Sequence, residues 1–267
     1  MLSDTPFTKE NLDVYLKALA KEYRKLSGKN MPAEIILIGG AAVLANYGFR
    51  EITYDIDAVI LAASTMKQAI NNVGDNLNLP NGWLNADFKN TKSYSQKLFG
   101  VSVYYKTFSN VLTIRTIAAE YLIAMKLISG RQYKYDLSDV IGILAEHSKA
   151  GKPISRDAID RAVVELYGDS VKIPATAKVF IDDVFTRKDY EQVYAEIRES
   201  EKQSMAILSD FKQNCPDELK EENIADIIAH AKKKKSVLEQ LADSKKQVEE
   251  NDKATTPQKK RNKSHEL

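Results

Sequence analysis

Residues 35–60 read IILIGGAAVLANYGFREITYDIDAVI. The apolar run that opens this stretch ends at Gly39-Gly40, and a short helical segment follows from Gly40 to about Tyr47, stopped by Gly48. A second apolar run then carries two carboxylates, Asp55 and Asp57, one residue apart. In a strand, residues i and i+2 share a face, so both side chains project from one strand end beside the glycine turn. Like charges held that close repel and call for a partner. The partner that suits them is a hard divalent cation, bound by one or two carboxylates together with phosphate oxygens.

The glycines point the same way. Glycine lets the backbone approach a ligand and take positive φ, and a helix start offers free N–H groups and a positive dipole end to a phosphate. Asp57 lies between Ile56 and Ala58-Val59-Ile60, a costly setting for a carboxylate without a task. Strand, diglycine, helix, Thr53 and then two alternating aspartates thus read as a site for a nucleoside triphosphate with Mg²⁺ or Mn²⁺, in which one or two metal ions neutralise charge on the phosphates.

Outward from this centre, helical spacing of Leu12, Tyr15, Leu16, Leu19, Tyr23 and Leu26 predicts a helix capped by Thr8 and closed by Gly28. Strands are predicted at Glu34–Ile38, Asp55–Leu61, Leu98–Tyr105 and Val111–Thr116, with a helix from Ser64 to about Val73 and a turn-rich loop from Gly74 to Gly82. After Ile117 the pattern is helical throughout: Ala118–Ser129, Asp136–Lys149, Ser155–Tyr167, Pro174–Phe185 and about Asp189–Phe211, with a break at Cys215-Pro216. The fold class expected is α/β (α+β): a small mixed sheet with helices, followed by a helical C-terminal domain. The divisions expected are a core over 1–130, a helical domain over 131–212 and a charged, partly disordered basic tail over 213–267.

Composition sets limits. With 43% hydrophobic and 28% charged residues the chain is of globular type. The formal net charge of +2 does not describe a protein coated in positive charge. Residues 231–267 hold eleven basic and six acidic residues, which leaves 28 basic and 31 acidic for the rest, so the tail is basic and the body mildly acidic. A basic tail can attract RNA, or simply confer solubility. The single cysteine, Cys215, excludes an intramolecular disulfide, and the three histidines, His147, His230 and His265, show no zinc spacing. No apolar run reaches the ~18 residues of a membrane span, and the first residues lack the basic and apolar regions of a signal peptide. The expectation is a cytoplasmic protein without a membrane partner.

The segment Ile38-Gly39-Gly40…Thr53-Tyr54-Asp55-Ile56-Asp57 resembles the hG[G/S]…DhD signature of the nucleotidyltransferase superfamily, the polymerase-beta-like fold, with a gap from Gly40 to Asp55 at the long end of the pattern. A second stretch, Ala119-Glu120-Tyr121-Leu122-Ile123-Ala124-Met125-Lys126-Leu127 with Gly130-Arg131 and Asp136-Leu137-Ser138-Asp139, is similar to a segment of bacterial nucleotidyltransferase-like families that include abortive-infection and toxin–antitoxin toxins. The resemblance covers roughly residues 30–145. It implies transfer of a nucleotide to a hydroxyl of tRNA, protein or a small molecule, and a possible cognate antitoxin as partner. It places Gly39, Gly40 and Thr53 at the nucleotide, Asp55 and Asp57 at the metal, and Lys126 on the triphosphate. Asp139 or Asp136 would orient that lysine or act as a base, and Asp136 can equally cap its helix. A lysine inside IAMKLI can also snorkel to water. Superfamily polymerases use a third carboxylate from a neighbouring strand; neither later predicted strand has one, and Asp87, or else Glu120, is the candidate. Arg115, at the end of its strand, can face the cleft or the surface. A fold kept for nucleotide binding after loss of catalysis is the alternative reading.

Overall fold

The computed structural model describes residues 6–131, 133–169 and 172–233. The chain divides into two compact units, Met1–Glu201 and Lys202–Leu267. The disorder expected from Asn251 onward, and most of the basic tail, lie outside the described residues.

The first unit is built on a five-stranded mixed sheet in the order β3-β2-β1-β5-β4. Its strands are β1 (Ala33–Leu37), β2 (Ile56–Leu61), β3 (Leu84–Asn85), β4 (Ser102–Phe108) and β5 (Leu112–Ile117). Central β1 runs antiparallel to β2 and parallel to β5. Strand β5 alternates Leu112 and Ile114 inward with Thr113 and Arg115 half-buried. It closes a hairpin with β4 through Ser109 and Asn110, whose φ values of +52° and +56° give the left-handed pair that such a tight turn requires.

Helices cover the sheet. α1 (Lys9–Ser27) starts in a capping box: the Thr8 hydroxyl accepts from the Asn11 N–H, and Asn11 Oδ1 accepts from the Thr8 N–H at 2.8 Å. It buries Leu12, Leu16, Leu19 and Tyr23, and it packs on α3 (Thr65–Asn76). α2 (Gly39–Asn46) leaves β1 directly. After β5 come α4 (Ala119–Ser129), α5 (Asp136–Lys149), α6 (Arg156–Tyr167) and α7 (Ala175–Arg187), with α4 packed against both α5 and α6. α8 (Tyr190–Asn214) follows. In the second unit α8 ends before the predicted break at Cys215-Pro216, and residues 224–233 are helical. Among the described residues no helix is long and apolar enough to cross a membrane.

The fold class agrees with expectation; three local readings change. α3 runs through Gly74 to Asn76 because that glycine is a space, not a stop: a Cβ there would lie 3.3 Å from the Trp83 ring, whose indole N–H donates to the Ile70 carbonyl at 3.0 Å. The predicted strand from Leu98 begins only at Ser102, since residues 96–99 form a 3₁₀ turn capped by the Ser95 hydroxyl. The two-residue strand β3 was not anticipated.

Candidate active site

The diglycine turn joins the sheet to α2, and its two glycines serve different ends. Gly39 takes φ +55°, and a Cβ on it would lie 3.8 Å from Asp57 Oδ2, so the turn and the carboxylate face each other. Gly40 is needed for room: a Cβ would come within 2.7 Å of both the Arg50 guanidinium and the Thr53 hydroxyl. Ile38 occupies the N-cap of α2, so no side chain caps the first amides of that helix. Both glycines remain half-buried.

Asp55 sits just before β2 and is exposed; Asp57 is its second residue and half-buried. The Thr53 hydroxyl donates to the Asp55 carbonyl at 3.2 Å and approaches its carboxylate at 3.4 Å. Thr53 itself is buried and bridged to Phe7, so its hydroxyl positions Asp55. Burial, and then the Asp55 charge, push the Asp57 carboxyl above its ordinary range, and a hydrogen bond from Asn85, with Lys134 and Arg131, only partly offsets them. The two carboxylates therefore do act on each other from one strand end.

Asn85 stands directly opposite Asp57 in the parallel β2–β3 register. Its Oδ1 accepts from the Asp87 backbone N–H at 2.9 Å, which leaves the amide nitrogen for Asp57. Asp87 is exposed on the 3₁₀ turn that follows. The described residues gather no trio of His, Cys, Asp or Glu fit for a metal ion, so neither Asp87 nor Glu120 completes one with Asp55 and Asp57. The neighbouring-strand position holds a neutral amide.

Behind the pair runs a chain of alternating charge. Arg50 Nη1 donates to Asp139 Oδ2 at 2.5 Å; Lys126 Nζ contacts Asp139 Oδ2 at 2.7 Å and Asp136 Oδ1 at 2.8 Å; Arg131 Nε contacts Asp136 Oδ2 at 2.8 Å. Arg131 also feels the Asp57 charge. Lys126, Asp136 and Asp139 are buried. Burial alone would raise the Asp136 carboxyl, but Lys126 and Arg131 outweigh it and bring it down to about 2. Burial likewise works against the Lys126 ammonium, and the two aspartates overcome that and raise it. The N-terminus of α5 is capped from α8: Glu201 accepts from the Leu137 and Ser138 amides at 3.0 and 3.2 Å and from the Ser138 hydroxyl at 2.6 Å. Asp136 is thus not the cap of its helix, and Lys126 does not snorkel.

The structure therefore brings Gly39, Gly40, Thr53, Asp55 and Asp57 together, and joins Lys126 to Asp136 and Asp139. Arg115 is engaged away from them, donating to Ser102 Oγ and its carbonyl at 2.7 and 2.8 Å beneath the Phe99 ring. Sequence reading passed over Arg50, Asn85 and Lys134. The long gap before Asp55 was the one signal for Arg50: that loop is bound to α5 by Arg50 and by Phe49, which fills the space left by Gly142.

A mixed sheet with a glycine turn and a strand-end aspartate pair is consistent with an α+β nucleotidyltransferase core. Residues 15–146, almost half of the chain and all of this site, match a family described as "Nucleotidyltransferase of unknown function (DUF6036)", which supports the nucleotidyltransferase superfamily. No curated protein and no solved structure matches the chain.

Proposed function

We propose that the protein is a metal-dependent nucleotidyltransferase that moves a nucleotide from a nucleoside triphosphate to a hydroxyl of tRNA, protein or a small molecule. The observation that carries this reading is the placement of Asp57 across from Gly39, with Asp55 beside it, at an uncapped helix start. The donor set suits the metal: burial and the neighbouring Asp55 charge raise the Asp57 carboxyl, and the two carboxylates offer hard oxygens to Mg²⁺ or Mn²⁺. When bound, such an ion neutralises charge on the transferred phosphate. The chain's own part is positioning. The α2 amides receive the phosphate, and Thr53 orients Asp55. The oxygen–phosphorus bond forms at the α-phosphate, the bond to the leaving pyrophosphate breaks, and the hydroxyl proton is released to solvent.

Incubation with labelled triphosphates, Mg²⁺ or Mn²⁺ and total tRNA tests the proposal. Label transfer that disappears in Asp57→Ala supports it. The resemblance of residues 119–139 to families that include toxins adds growth arrest on expression as an expected outcome, relieved by the same substitution. A second reading, a catalytically silent binding module, is favoured by Asn85, a neutral amide, opposite Asp57 on the neighbouring strand. It predicts stabilisation by nucleotide with no transfer to any acceptor.

A further inference from the structure

The residue that resemblance assigns to the triphosphate, Lys126, is enclosed. Its side chain is 6% exposed, its ammonium already serves two aspartates, and Met125 and Leu127 beside it are buried. Moving that ammonium to a phosphate would break two charge-assisted contacts inside the protein and leave both aspartates short of countercharge.

Arg131 is placed differently. α4 ends at Gly130, in left-handed conformation with Pro174 3.1 Å from where a Cβ would stand, so the chain turns at a fixed point just before Arg131. The Arg131 side chain is 36% exposed and Nε is held by Asp136 Oδ2 at 2.8 Å. Its contact with Asp136 is made through Nε, not through the two outer nitrogens. The guanidinium lies near enough to Asp57 to attract its carboxylate, and Lys134 on the same loop does the same. Asp57 in turn faces Gly39 at the start of α2. A guanidinium clamped through Nε keeps its outer N–H₂ edge in a fixed direction, and that edge can grip phosphate oxygens pairwise, which an ammonium cannot do.

Resting on the nucleotidyltransferase reading above, we propose that Arg131, and not Lys126, contacts the phosphates of the bound nucleotide, while Lys126 holds Asp136 and Asp139 in place from within. The group recognised is the di- or triphosphate tail, so a nucleoside monophosphate gains little from it.

The test is calorimetric titration of the full chain with each nucleoside triphosphate in Mg²⁺, and with the matching monophosphate, below the melting temperature of every variant. Arg131→Ala is expected to weaken triphosphate binding by about 10- to 100-fold and to leave the monophosphate almost unchanged. Arg131→Lys, which keeps the charge beside Asp136, is expected to recover only part of the loss. Lys126→Met is expected to retain the preference for triphosphate over monophosphate in whatever fraction stays folded. Unchanged triphosphate affinity in Arg131→Ala, or equal loss of both ligands, overturns the assignment. If the parent protein binds no triphosphate, the nucleotide reading itself falls and this inference falls with it; binding by the parent with no effect of Arg131 removes only the inference.

Discussion

Two pairs of aspartates lie close together in this protein and differ in almost every physical respect. Asp136 and Asp139 are buried on α5 and fully matched by Arg50, Lys126 and Arg131. Asp55 and Asp57 stand at the open end of β2, act on each other, and have only the partial help of Asn85, Lys134 and Arg131. The first pair is complete without a ligand, and the second is not. Charge balance inside the fold thus separates a structural carboxylate from one available to a cation, although the residue type and pair spacing are similar.

The largest effect that can test this contrast comes from emptying the centre of the matched set. Lys126→Ala removes the shared countercharge of two buried carboxylates, and the expected cost is about 3–5 kcal/mol of folding stability, a large share of the ~5–15 kcal/mol typical of a domain. Urea unfolding at neutral pH measures it; a loss below about 1 kcal/mol would mean that the buried pair does not need the lysine. Asp136 adds an acid limb. Its folded-state pKa of about 2 lies below the ordinary 3.8, so its contribution is fully present above pH 3.8 and is lost as pH falls toward 2.

The sequence revealed the open pair more fully than the matched one. β1, α2 and β2 are legible to within a residue, because an apolar run, two glycines and an alternating acidic run each have one local explanation. The resemblance anticipated that Asp139 or Asp136 would meet Lys126, but periodicity alone does not give that pairing, because it fixes faces without fixing what lies opposite them. Arg50 reaches Asp139 across 89 residues of chain, and nothing local announces that. Gly74 shows the same limit in miniature, since its partner is the distant Trp83 ring. Asn85 was missed for a chemical reason: the third ligand was sought among acids, and the neighbouring strand is two residues long and carries an amide.

That amide supplies the next test. Asn85→Asp places a third carboxylate opposite Asp57 in register. Without metal the variant is expected to be less stable than the parent, because three like charges then share one strand end. With Mg²⁺ or Mn²⁺ it is expected to gain more than the parent, roughly 1.4 kcal/mol for each tenfold tightening of cation binding. Thermal melts across a metal titration read both signs. A variant whose melting point ignores the cation would show that the β2 end does not form a metal site, and would favour the binding-module reading.

The smallest effect is the most diagnostic of sign. The Asp57 carboxyl is raised above its ordinary 3.8, first by burial and then by Asp55. A group raised on folding contributes stability that is fully present below its unfolded pKa and lost as pH climbs through the folded value. At neutral pH Asp57 therefore costs stability, and Asp57→Asn, which keeps the shape and cannot ionise, is expected to stabilise the metal-free protein by about 0.5–2 kcal/mol, or a few degrees in melting temperature. Below pH 3.8 the parent carboxyl is protonated as well, so the advantage of the variant shrinks there and grows as pH rises. Asp136→Asn tests the opposite sign, since a carboxylate stabilised by its partners loses by neutralisation at neutral pH and ceases to lose only near pH 2. Chemical denaturation of both variants from pH 3 to 8 separates the two kinds of aspartate. If Asp57→Asn destabilises the protein at pH 7, or its advantage does not change with pH, the β2 pair is satisfied from within and no longer argues for a ligand.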